Sequence, residues 1–147
     1  MLVVLITFTN CKKDKIKGCT DSNSLNYNSK AEENDNSCSY VSGSYAMTEN
    51  CGSLDQFTIT ISGNGNAITI NNLANQFDNI SATRNGLSIT LTPKQGILDR
   101  SGKYWDLDNG SGTISADGKN LTISYTVDDI QYANVAGYLT CSANGVK

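Results

Sequence analysis

Acids and aromatics gather at one place in this chain, where Asp99, Asp106 and Asp108 flank Tyr104 and Trp105. Two carboxyls roughly 5–10 Å apart beside a stacking ring are the equipment of a glycosidase or a sugar-binding site. The same spacing has a plainer reading. On a strand, Asp106 and Asp108 share one face while Trp105 and Leu107 share the other, so the acids meet water and the hydrophobes turn inward. That alternation favours a non-catalytic protein, with Tyr104 and Trp105 kept as candidate ligand-binding residues. The 147 residues contain no His, which rules out Ser-His-Asp and Cys-His catalysis and any His-ligated metal. Gly63-Asn64-Gly65 lacks the strand-to-helix setting of a phosphate-cradling loop, and the cysteines are too far apart for a zinc knuckle. Asp21, Asn26, Asn28 and Asp35 offer the oxygen ligands that Ca²⁺ takes. Their spacing is not that of an EF-hand, and Asp and Asn equally serve turns by bonding to nearby backbone.

The thiols carry more information than the carboxylates. The apolar run Leu2 to Asn10 ends at Cys11 and is followed by Lys12, Lys13, Asp14 and Lys15. This resembles the tail of a bacterial lipoprotein signal peptide, in which the cysteine thiol receives a diacylglycerol and the chain is cut before it. Asn10 stands where a small residue is usual, and no Lys or Arg precedes the run. A signal peptide has a positive n-region, so the leader is expected to start upstream of Met1. The resemblance implies a removed segment 1–10 and a lipidated tether 11–17. With Cys11 assigned to lipid, four cysteines remain and three pairings are open. Cys19–Cys38, bracketing an Asn/Asp-rich segment, and Cys51–Cys141, joining the start and end of the strand-rich region, are favoured. No run reaches the roughly 20 apolar residues of a spanning helix, so a membrane link would be the lipid.

Charge divides along the chain. Of the formal net −3, residues 1–17 carry four Lys and one Asp, which is +3, leaving −6 on the remainder. A basic tether and an acidic body suit a surface-anchored protein, and no basic patch exists to neutralise nucleic-acid phosphates.

From Ser42 onward the sequence alternates. Phe57 to Ile61, Ala67 to Ile70, Leu87 to Thr92 and Leu121 to Val127 each place apolar residues at every second position, with Thr and Ser between. Asn85-Gly86 and Asp117-Gly118 are hairpin signals, and Ser62 to Asn66 and Asn109 to Gly112 read as further turns. Strands are expected near 43–49, 55–62, 66–73, 79–84, 87–92, 103–107, 111–116 and 120–128, with a closing strand near 132–142. Inward residues would be Phe57, Ile59, Ile61, Ile68, Ile70, Leu87, Ile89, Leu91, Ile114, Leu121, Ile123, Tyr125 and Val127. The reading is an all-β chain: a small antiparallel meander barrel over 42–147, of about eight strands, preceded by a stapled loop module at 18–40. A sheet this small is filled by its own side chains or keeps a ligand cavity, and both readings stay open.

Two resemblances bear on this plan. Gly18 to Tyr40 resembles a module of secreted and surface proteins of the Bacteroidetes, usually GCTDPxAxNYNPxAxxDDGSCxY. Cys19, Thr20, Asp21, Asn26, Tyr27, Asn28, Ala31, Asp35, Ser37, Cys38 and Tyr40 fall on it without a gap. Ser22 and Ser29 replace its prolines, and Asn34 and Asn36 stand within its Asp-Asp-Gly. The remainder, through Gly43 to Cys51, Ser111 to Ser115, Asn120 to Thr126 and Leu139 to Cys141, resembles small lipoproteins with a lipocalin-like or calycin-like barrel. Together these imply an outer-membrane or cell-surface lipoprotein. It would bind a small apolar or lipid-like ligand, join an envelope assembly, or bind carbohydrate, with no cofactor beyond a Ca²⁺ ion on the module.

Overall fold

The computed structural model describes residues 13–51, 54–130 and 138–147. Among them lie eleven strands and no α-helix. Strands β1 (Lys17–Gly18) and β2 (Glu33–Asn34) form a short parallel pair inside the stapled module. The other strands are β3 (Gly43–Asn50), β4 (Leu54–Ser62), β5 (Ala67–Asn71), β6 (Ile80–Asn85), β7 (Ser88–Leu91), β8 (Lys94–Leu98), β9 (Tyr104–Ile114), β10 (Asn120–Asp129) and β11 (Tyr138–Val146).

From β3 to β7 and from β8 to β11 each strand pairs antiparallel with the next, β7 skips β8 to pair with β9, and β11 returns to pair with β3 through Ser142↔Asn50 to Val146↔Ala46. The result is a closed eight-stranded up-and-down barrel, with β8 as an extra strand on β9. Closure removes the free sheet edges that would otherwise invite association. The period-2 pattern does the sorting: Tyr45, Met47, Ile59, Ile61, Ile70, Ile89, Leu91, Ile123 and Tyr125 are buried inside, and the Thr and Ser between them face out.

All the expected inward residues are buried except Leu87, which is 39% exposed. Leu87 has the right parity but sits in the two-residue turn between Asn85 and Ser88, where the pleat no longer governs direction. Three boundaries also differ. The strands expected at 103–107 and 111–116 are one strand, β9. The segment Asn109 to Gly112 between them is not a turn, because its glycines fill crowded interior positions. A Cβ on Gly112 would stand 2.4 Å from the Thr122 carbonyl, and one on Gly110 would stand 2.9 Å from Leu91. β9 switches inward parity between Leu107 and Gly110, where its register to β10 slips at Thr126/Val127, as a bulge does. β8 was hidden by Pro93 and by Gly96 at φ 63°; it continues the line of β7 along the same side of β9. The closing strand runs 138–146, later than expected, and 131–137 lie outside the described residues.

The stapled module closes one end of the barrel. The Cys19–Cys38 bridge braces it and Cys51–Cys141 ties β11 to the end of β3, so both favoured pairings are present. Leu25 packs against the barrel core. Arg84, 6% exposed, donates to the carbonyls of Gly65, Gly86, Asn23 and Asn64 at 2.8–3.3 Å, clamping the module to two barrel turns. The Tyr45 hydroxyl donates to Val41 and Gly118 carbonyls at 2.8 and 3.1 Å, and burial pushes its phenol up to about 12.

Candidate functional site

Among the described residues the opposite end of the barrel is open. There the ends of β3, β4, β9, β10 and β11 and the β5–β6 connection line a cavity of about 180 Å³. Its wall is built from strand ends: Glu49 from β3, Trp105 from β9, Tyr125 and Val127 from β10, and Leu139 and Cys141 from β11, with Asp55, Ala74, Gln76 and Phe77 at the rim. Deeper in the lumen, Met47, Phe57, Ile70, Leu91 and Ile123 fill the space. Among the described residues the interior is thus packed over most of its length, with this cavity at the mouth.

Glu49 follows Tyr45 and Met47 at inward spacing on β3 and is 3% exposed. The Tyr125 hydroxyl donates to its Oε1. Burial raises the Glu49 carboxyl above the ordinary range, the Tyr125 bond opposes this, and the nearby Asp55 charge adds to the rise. The Tyr125 phenol is pushed far up, by burial first and then by Glu49. The pair forms a polar spot in an otherwise largely apolar wall, able to orient one polar group of a ligand.

The β5–β6 connection brings Phe77 to the mouth. Asn72, Ala74, Asn75 and Asn79 all adopt φ between 55° and 64° there, a region that Asn tolerates better than most residues. Leu73 and Phe77 exchange backbone bonds at 2.9 and 2.8 Å, and Asp78 and Asn71 side chains accept from the amides of Asn72 and Asn79. The tight coil buries Leu73 and sets Phe77 edge-on to Trp105, with ring centroids 6.1 Å apart.

The candidate pair Tyr104 and Trp105 is divided, as neighbours on a strand must be. Trp105 is half-buried at the cavity, whereas Tyr104 is 52% exposed on the outer surface. The acids around them serve backbone and ring. Asp99 accepts from the Trp105 indole at 2.8 Å and from Ser101 and Lys103 amides at 2.8 and 2.9 Å. Burial acts to raise its carboxyl, but these bonds and the Ser101 hydroxyl outweigh it and hold it down at about 2. Asp106 accepts from the Gly96 amide at 2.7 Å, and Asp108 is exposed at the bulge.

Each of the four candidate Ca²⁺ ligands makes hydrogen bonds within the module. Asp21 accepts from the Tyr40 hydroxyl at 2.6 Å and the Asn23 amide at 2.9 Å. Asn26 bridges to Ser37 and Ser39 backbone, Asn28 accepts from Lys30, and Asp35 accepts from Ser37. Among the described residues no three His, Cys, Asp or Glu side chains converge as metal ligands. Cys11, the lipidation candidate, lies outside the described residues.

Sequence reasoning missed Glu49 and Phe77. Glu49 carried a signal, since it extends the 45, 47, 49 parity; Phe77 carried none, in a loop whose coil depends on side-chain bonds to its own backbone. Comparison with known protein families, with curated proteins and with solved structures finds no match.

Proposed function

We propose that the protein is a non-catalytic binding module of the envelope, lipid-anchored through Cys11 at the outer membrane or cell surface. Its ligand is a small apolar compound taken at the open mouth. The observation that carries this is the cavity of about 180 Å³ beside Trp105, Phe77, Val127 and Leu139. Apolar cavities of about 150 Å³ hold a single benzene ring, so the size suits a one-ring compound rather than a long acyl chain. The address rests on the signal-like run before Cys11 and on the surface-protein module that follows it. With the tether joined to the module, an anchored molecule would turn its capped end to the membrane and its mouth away from it.

The sole tryptophan lines this cavity, so its fluorescence reports on the site directly. Titration with toluene, benzyl alcohol and short-chain lipids should give saturable changes for the one-ring compounds. A flat response to the whole panel would remove the binding role. Labelled palmitate should enter the wild-type chain in its host and not the Cys11→Ala variant; equal labelling would remove the anchor.

A second reading, as an interaction subunit of an envelope assembly, is favoured by the rim. Leu54, Leu98, Tyr104 and Tyr138 at the open end are 76%, 54%, 52% and 61% exposed. Crosslinking on intact cells should then trap a partner through this rim, and a protein recovered alone would count against it.

A further inference from the structure

The cavity has a chemical bias that size alone does not express. Among the described residues its charged groups are both acids, Glu49 and Asp55, and its lining contains three aromatic side chains, Phe77, Trp105 and Tyr125, but no Lys or Arg. The segments 52–53 and 131–137, outside the described residues, contain neither Lys nor Arg. At the same end Lys103 is engaged by Asp129 at 3.7 Å. There Asp78, Asp99, Asp128 and Asp129 outnumber the other cations, Lys94 and Arg100, which share a separate groove with Asp78 and Asp99.

Resting on the binding role proposed above, we infer that the ligand is a small organic amine, a one-ring apolar body carrying a protonated nitrogen. Glu49 is the partner for that nitrogen. It is 97% removed from solvent, its polar neighbour is a phenol rather than a cation, and it borders the empty volume. A buried carboxylate without a counter-charge is costly, and a cationic ligand supplies the missing charge. Aromatic faces add to this, since Trp, Tyr and Phe rings attract ammonium groups. A negative mouth draws cations from solution. A carboxylate ligand meets the opposite situation: two acids and no positive donor. Benzylamine, benzyl alcohol and benzoate therefore separate the cases, being nearly equal in size and differing in charge.

The test titrates the intact chain with these three probes, read by Trp105 fluorescence and by calorimetry, alongside Glu49→Gln. Benzylamine is expected to bind about tenfold or more tightly than benzyl alcohol, as hydrogen bonds to charged groups exceed neutral ones; benzoate is expected not to bind. Glu49→Gln, close in shape, should erase the preference while leaving benzyl alcohol affinity in place. Amine affinity should also rise with pH as Glu49, faced by Tyr125 and Asp55, loses its proton. Equal affinity for amine and alcohol overturns the inference and leaves the apolar binding role standing, as does a preference that survives in Glu49→Gln. Binding of benzoate as tightly as the amine overturns it too. Failure of all three probes overturns both the amine assignment and the binding role. The wild-type comparison needs no variant, so a poorly folded Glu49→Gln protein leaves the test intact.

Discussion

Two carboxyls in this chain respond to their surroundings in opposite ways. Glu49 is raised, chiefly by burial, so the folded state holds its proton more firmly than the unfolded state does. Its charge costs stability once pH exceeds the unfolded value, and the cost grows until the folded group has also ionised. Glu49→Gln should therefore raise the melting temperature more at pH 8 than at pH 4; an equal or opposite shift would contradict the assignment. Asp99 is lowered to about 2, because the hydrogen bonds it accepts outweigh burial. Its contribution is fully present above the ordinary carboxylate value of 3.8 and is lost as pH falls toward 2. Acid titration over that window should loosen the Asp99–Trp105 bond before the barrel melts, seen as a red shift of Trp105 emission while the far-ultraviolet dichroism holds. In Asp99→Asn that early step should vanish.

Among the elements, β9 places the most side chains under constraint. It pairs with β10 on one edge and with β7 and then β8 on the other, and its glycines are what permit such close approach. Gly112→Ala should cost about 1–3 kcal/mol by overpacking, because a Cβ there meets the Thr122 backbone rather than a movable side-chain tip. Denaturant unfolding measures it, and a loss under about 0.5 kcal/mol, the range of ordinary surface changes, would mean that the strands part more easily than their register indicates. The same run shows where pattern reading fails. Asn109 to Gly112 has turn composition and strand structure, since a glycine serves equally where the chain reverses and where a neighbour comes too near for a side chain. β8 was invisible for the converse reason: Lys94-Gln95-Gly96-Ile97-Leu98 has no alternation, and only the exposed edge of β9 makes it a strand.

At the scale of the whole molecule, two bridges and one arginine hold a barrel between a cap and a mouth. Cys51–Cys141 spans 90 residues, and closing so long a loop is worth about 4–5 kcal/mol in the chain-entropy model. A Cys51→Ala/Cys141→Ala variant should lose stability of that order in denaturant unfolding and loosen the cavity wall that both residues line. A loss below about 1 kcal/mol would show that β11 is held by its ladder to β3 and β10 alone. Much of this was legible beforehand. Inward parity from Phe57 to Val127, the hairpins at Asn85-Gly86 and Asp117-Gly118 and the meander order they suggest follow from features that are local in the chain, whereas the two bridges, favoured among three open pairings, needed the fold to select them. A pleat has period 2 wherever a strand forms, and a tight turn needs its particular residues wherever the chain reverses. The site was not legible, because parity states only that a side chain points inward. Tyr45, Met47 and Glu49 share one parity, and closure of the barrel decided that the first two would sit in packed lumen and the third at an empty mouth. Phe77 reaches that mouth through contacts with residues distant in sequence, and whether space remains beside it depends on the volumes of side chains from five segments at once.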